Sequence, residues 1–159
     1  MRRLAITLSV LAAVAFATGL SARAADFSGK WAPDTDKNPA PMTGATGGAT
    51  VPQGMRGMSG PMTITMDAKD MKVVRQINGT NTSTATYHLD GSPSTNAMGR
   101  GGDRVSTAKW DGDKLVITTK ATQSGQADAV QTFYMDGADL VVESNTANGP
   151  MKVYYKKGM

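Results

Sequence analysis

The sequence predicts an all-β domain: an antiparallel up-and-down meander of eight to nine strands that closes into a barrel, behind an N-terminal signal peptide that is cleaved. Three observations carry the prediction. After Ala25 the apolar residues fall into short runs of Val, Ile, Thr, Tyr and Met, and no window outside the first 24 residues shows an apolar stripe at helical spacing. One unit recurs, in which a large residue, a short Asp-containing turn and an apolar residue follow one another: Met66-Asp67-Ala68-Lys69-Asp70-Met71, Trp110-Asp111-Gly112-Asp113-Lys114-Leu115 and Met135-Asp136-Gly137-Ala138-Asp139-Leu140. Asp-Gly lets the chain reverse tightly, because glycine takes positive φ and the aspartate carboxylate accepts from nearby backbone N–H groups. Within the runs, apolar and polar residues alternate, as a wall with one buried face requires.

Residues 1–24 read as the signal peptide. Arg2 and Arg3 supply a positive start, Leu4 to Leu20 an almost uncharged apolar stretch, and Ala22-Arg23-Ala24 a small-x-small cleavage site. Residues 25–159 are expected to form a single domain. The strand candidates are Phe27–Trp31, Pro61–Asp67, Asp70–Ile77, Thr82–Leu89, Asp103–Trp110, Lys114–Ala121, Ala129–Asp136, Asp139–Ser144 and Pro150–Lys157. Nine strands cannot close a strictly antiparallel barrel. Either a further strand lies near Ala45–Val51, or Phe27–Trp31 caps an eight-strand barrel made by the rest. Alternation puts Ile64 and Met66, then Ala85, Tyr87 and Leu89, Ala108 and Trp110, Leu115 and Ile117, and Met151, Val153 and Tyr155 on the inner face. Thr63, Thr65, Thr84, Thr86, His88, Thr107, Lys109, Lys152 and Lys156 stand opposite.

Two segments break the pattern. Residues 32–60 hold six Gly and four Pro and include Gly54-Met55-Arg56-Gly57-Met58-Ser59-Gly60; residues 91–102 include Met98-Gly99-Arg100-Gly101-Gly102. A strict meander of the runs above places these two connections at opposite ends of the barrel.

Composition excludes several chemistries. The 17 Lys and Arg exceed the 13 Asp and Glu, but removing Arg2, Arg3 and Arg23 with the signal leaves 14 against 13, so the basic balance belongs to targeting. No nucleic-acid partner and no stable membrane anchor is expected, and no protein partner is identified. Without cysteine there are no disulfides, thiolate metal sites or thiol nucleophiles. The one histidine, His88, stands on the Thr-rich face, and nearly all the acidic residues sit in or beside turns. Ser59 lacks the strand–turn–helix setting of a nucleophile elbow. A non-enzymatic protein without a cofactor or metal is therefore expected. Met55, Met58 and Met62, with Met42 upstream, would suit Cu(I) as thioether ligands, but no histidine accompanies them. Asp34 and Asp36 do not follow an EF-hand pattern.

The opening Phe27-Ser28-Gly29-Lys30-Trp31, with its Gly-x-Trp, resembles the start of the calycins: lipocalins, fatty-acid-binding proteins and avidins. The stretches Ser106–Ile117, Met135–Glu143 and Lys152–Lys156 look like the last hairpins of the fatty-acid-binding branch. The resemblance implies a calycin-like β-barrel in which the Trp packs one end, and an exported lipocalin-like module for an apolar or amphipathic ligand. In the fatty-acid-binding branch an Arg-x-Tyr pair on the last strand holds the ligand's carboxylate, and Lys152-Val153-Tyr154 stands at that place here. The ligand-binding candidates are Lys152, Tyr154, Trp110 and Tyr87. The helical lid of that branch cannot form from the Gly/Pro-rich 32–60. The late Arg that packs on the Trp in the lipocalin branch is matched only by Lys156 or Lys157. The alternative is a structural or interaction protein of the cell envelope with a solid core, in which Trp110, Tyr87, Phe133 and Leu115 meet at the centre.

Overall fold

The computed structural model describes residues 25–38, 60–78, 81–97, 102–123, 125–146 and 149–158. Ten strands follow one another: β1 (Gly29–Pro33), β2 (Met62–Met66), β3 (Asp70–Asn78), β4 (Asn81–His88), β5 (Ser94–Ala97), β6 (Asp103–Asp111), β7 (Lys114–Thr119), β8 (Ala129–Asp136), β9 (Asp139–Thr146) and β10 (Gly149–Lys157). They form one antiparallel sheet in the order β4-β3-β2-β1-β10-β9-β8-β7-β6-β5. The sheet rolls into a barrel that is nearly closed, with β4 and β5 as the facing edges. No described residue is helical. The signal peptide, the run Ala45–Val51 and most of the 32–60 connection lie outside the described residues, as do Met42, Met55, Met58 and Ser59.

The meander stands, and the strand count of eight to nine is corrected to ten. The added strand is Ser94–Ala97, within the connection read as a loop. At four residues, with the sequence Ser-Thr-Asn-Ala, it has no apolar alternation to reveal it. Its burial does alternate, with Ser94 and Asn96 buried and Thr95 and Ala97 exposed. Phe27–Trp31 does not cap the barrel as a unit. Gly29 to Pro33 is a wall strand between β2 and β10, and only Phe27, just before it, serves as a plug.

The extra strand changes the ends. Strand direction alternates, so the turns at 67–69, 89–93, 112–113 and 137–138 share one end, the turn end. The connections after β1, β3, β5, β7 and β9 leave from the other, the loop end. The 34–61 and 98–102 connections thus start and finish at the same end, which overturns the expectation that they lie apart.

Tight turns follow the Asp-Gly chemistry. Gly112 and Gly137 both take φ of 64°, and Asp67 Oδ1 accepts from the N–H groups of Lys69 and Asp70 at 2.8 Å each. The core gathers Phe27, Trp31, Ile64, Met71, Leu115, Ile117, Phe133, Leu140, Val142, Val153 and Tyr155, with Met66, Tyr87, Leu89, Trp110 and Met135 packed against it. Phe27 stacks on Trp110, with ring centroids 5.8 Å apart, and lies 6.4 Å from Phe133. Its carbonyl accepts from Trp31 Nε1 at 2.8 Å. One aromatic plug therefore closes the turn end.

Candidate functional site: the barrel lining

The inward residues change character along the barrel. On β3, Met71 and Val73 precede Arg75; on β7, Leu115 and Ile117 precede Thr119; on β9, Leu140 and Val142 precede Ser144. On the strands that run the other way the order reverses. Arg104 and Ser106 precede Ala108 and Trp110 on β6, Gln131 precedes Phe133 and Met135 on β8, and Ser83 precedes Ala85 and Tyr87 on β4. On these six strands the turn-end residues are apolar and the loop-end residues polar, whereas β2 and β10 place the apolar Met62 and Met151 at the loop end. Alternation places side chains on a wall, but it takes all ten strands to show that the polar ones share a level.

Arg75 is the most consequential of these residues. It is only 9% exposed, and Nη1 donates to the Tyr155 hydroxyl at 3.3 Å. Among the described residues it has no ion-pair partner, and no Asp or Glu occupies an inward strand position. A carboxylate-free lining that carries a guanidinium has a positive interior potential. Burial raises the hydroxyls of Tyr87 and Tyr155 above the ordinary phenol range, and the charge of Arg75 only partly offsets this. Both phenols stay protonated and neither supplies a countercharge. Arg104 shares the inward phase, and its Nε is buried with no partner among the described residues. Nearby, the Ser106 and Thr119 hydroxyls are hydrogen-bonded at 2.9 Å, and Ser94 Oγ donates to the Ser106 carbonyl at 3.2 Å.

The four residues expected to bind a ligand separate into two pairs. Tyr87 and Trp110 face inward and pack on the turn-end core. Lys152 and Tyr154 stand on the outer face, because the buried phase of β10 is Val153 and Tyr155. The Lys152 ammonium lies 5.9 Å above the Tyr134 ring and 3.7 Å from Glu143, and these neighbours, the Tyr134 hydroxyl foremost, hold its proton more tightly than usual. The Tyr154 ring lies under the Lys37 ammonium at 5.4 Å. The inward pair that faces the Arg-x-Tyr expectation is instead Arg75 with Tyr155, drawn from β3 and β10. Its signal was legible: Arg75 falls in phase with Met71 and Val73, an arginine where alternation calls for an apolar residue.

Other candidates find ordinary roles. His88 Nδ1 pairs with Asp70 Oδ1 at 2.6 Å on the half-exposed outer wall, across the register of β3 and β4. Met62 is 2% exposed and belongs to the core, while its methionine companions lie outside the described residues. Asp34 Oδ1 accepts from the N–H groups of Asp36 and Lys37, and Lys156 Nζ lies 3.0 Å away. The Lys156 ammonium meets this carboxylate. The late-chain cation on the Trp is Lys157, whose Nζ stands 5.8 Å from the Trp31 ring. Lysine there supplies a point charge where arginine would also stack.

No family model matches the chain, and no curated protein matches it by sequence. Solved structures match it by shape. The "REP1-NXSQ fatty acid transporter" superposes with a TM-score of 0.59 at 16% identity, covering 83% of this chain and 96% of that one. "Human cRBP IV" gives 0.57 at 16%, covering 84% and 99%. Secretory abundant heat soluble protein 4 of Ramazzottius varieornatus gives 0.58 at 19%, covering 83% and 94%. At these identities the likeness concerns the fold, and on the fold it is consistent: this chain builds a calycin-like barrel of the kind found in fatty-acid-binding proteins.

Proposed function

We infer that this barrel is a non-enzymatic binding module for a small apolar or amphipathic molecule, exported from the cytoplasm. The nearly buried Arg75 carries the reading. A barrel that served only as a scaffold gains most by filling its interior with aliphatic side chains, since buried polar groups cost free energy unless fully paired. Here Arg75 is nearly buried in the loop-end half with a neutral hydroxyl and no carboxylate beside it among the described residues, a cost that a solid scaffold would not retain. Shape-related barrels that include a fatty acid transporter support the class of ligand. Export rests on residues 1–24 as read from sequence.

The test is native mass spectrometry of the protein recovered from its producing cells, together with titration of the delipidated protein by an apolar fluorophore. A bound small molecule and a saturable rise in fluorescence are expected. An intact mass beginning near Ala25 checks the export step. A protein with no bound molecule and no response to the fluorophore favours the second reading, a structural module of the envelope. One observation speaks for that reading: Phe27, Trp110, Phe133 and Leu115 pack tightly together in the apolar half.

A further inference from the structure

A thioether is a weak hydrogen-bond acceptor, yet the plug at the turn end is fastened to one. The Phe27 N–H is directed to Met66 Sδ at 3.2 Å, and the Met66 N–H donates to Ser28 Oγ at 3.1 Å. A single residue of β2 thus holds both residues that lead into β1, while the Phe27 ring is fully buried against Trp110. Met66 itself is only partly buried, at the edge of the core. Met62 on the same strand and Met71, its register partner on β3, are 2% and 0% exposed. Peroxide reaches exposed thioethers first, and the product is a polar sulfoxide. Its sulfur carries partial positive charge and no longer accepts from an N–H group. At 3.2 Å there is no room for an oxygen between sulfur and nitrogen, so the sulfoxide oxygen can take over this donor only if the plug moves. Left in place, the oxygen stands unpaired beside apolar side chains and the Phe27 N–H loses its acceptor.

We propose that Met66 is an oxidation site through which hydrogen peroxide unseats the Phe27 plug. The sulfur lone pair attacks one peroxide oxygen, the O–O bond breaks and an S–O bond forms. The other oxygen leaves as hydroxide and takes the proton of the transferred oxygen, so that sulfur is oxidised and peroxide is reduced to water. The barrel wall stays intact, because its ladders do not involve the sulfur, and only the segment ahead of β1 is released. This inference is independent of what the barrel binds.

The test exposes the protein to hydrogen peroxide and follows it by peptide mass mapping, amide exchange read by NMR, and tryptophan fluorescence. Met66 is expected to gain one oxygen about tenfold faster than Met62 and Met71. As it does so, exchange at the Phe27 amide should quicken by about tenfold, while amides of the wall strands keep their rates. Tryptophan emission should shift to the red as Trp110 loses its stacking partner. Treatment with methionine sulfoxide reductase should reverse both changes in wild type, which ties them to a sulfoxide without any mutation. In Met66→Leu the Phe27 amide should exchange faster from the start, and peroxide should change neither its rate nor the emission. Met135→Leu, which removes another partly buried methionine packed on the core, should respond as wild type does. Oxidation of Met62 or Met71 ahead of Met66 overturns the site. Oxidation of Met66 with unchanged exchange at Phe27 overturns the link to the plug, as does a peroxide response that survives in Met66→Leu.

Discussion

A primary amide carries the same donor and acceptor as a peptide group, and two asparagines use this to stand in for a strand. Asn96 Oδ1 accepts from the Thr86 N–H at 2.7 Å, and its Nδ2 donates to the Thr86 carbonyl at 2.9 Å. Asn38 does the same with Tyr154, accepting at 2.8 Å and donating at 2.7 Å. The first bridges the seam between β4 and β5; the second caps the outer wall beside β10. Asn96→Ala leaves both Thr86 groups without their partner and is expected to cost about 1–3 kcal/mol. Urea denaturation reads the cost, and hydrogen exchange at the Thr86 amide reads the mechanism; unchanged exchange there would show that the seam is held by something else. Asp34 offers a pH-dependent case. Burial by itself would raise its carboxyl, but the N–H of Asp36, the Lys156 ammonium and the N–H of Lys37 outweigh that and hold it below the ordinary value. A folded-state pKa below the unfolded one means that Asp34 stabilises the fold fully above about pH 4 and loses this as pH falls through the folded value. Asp34→Asn should therefore melt at a lower temperature than wild type at pH 7, with the gap narrowing at pH 2.5.

At the scale of elements, the plug and the short strand decide the barrel's form. Phe27 is fully buried ahead of β1, with its ring against Trp110 and Phe133 and its N–H directed to the Met66 sulfur at 3.2 Å. Phe27→Ala would open the turn end and leave a cavity that the rigid wall cannot close, an expected loss of about 3–5 kcal/mol in the unfolding free energy. The measurement is a denaturant titration, with a loss below 1 kcal/mol showing that the end repacks. β5 contributes little hydrophobic burial, yet it makes the strand count even and brings the two Gly-rich connections to one end. Its four residues were invisible to alternation, because Ser94 and Asn96 are buried for their hydrogen bonds and not for their hydrophobicity.

For the molecule as a whole, a nearly buried cation in the lining costs stability. An unpaired buried charge destabilises the empty protein, so replacing it with an apolar side chain of similar length should stabilise the barrel. Arg75→Met is expected to raise the unfolding free energy of the lipid-free protein by on the order of 1–3 kcal/mol. Thermal denaturation of the two proteins after delipidation measures the difference. A marked loss of stability would mean that Arg75 holds the lining together through Tyr155 and is kept for structure.

By itself the sequence determined the all-β class, most of the strands, the Asp-centred reversals and the inner face of β2, β4, β6, β7 and β10. All of these depend on neighbours within a few residues, where the two-residue period and turn chemistry act directly. The Gly-x-Trp of Phe27-Ser28-Gly29-Lys30-Trp31 also marked the start of the barrel, through its resemblance to the opening of the calycins. Only the tertiary structure decided which polar residues meet. Arg75 and Tyr155 are 80 positions apart and come together because β3 and β10 flank β2 and β1 in the sheet order. Lys152 and Tyr154 stand on the outer face, as alternation with Met151, Val153 and Tyr155 already indicated, because a step of one residue reverses a strand's side. Phase along a strand is a local property. The level at which residues from different strands face each other depends on strand count and register, which belong to the closed barrel alone.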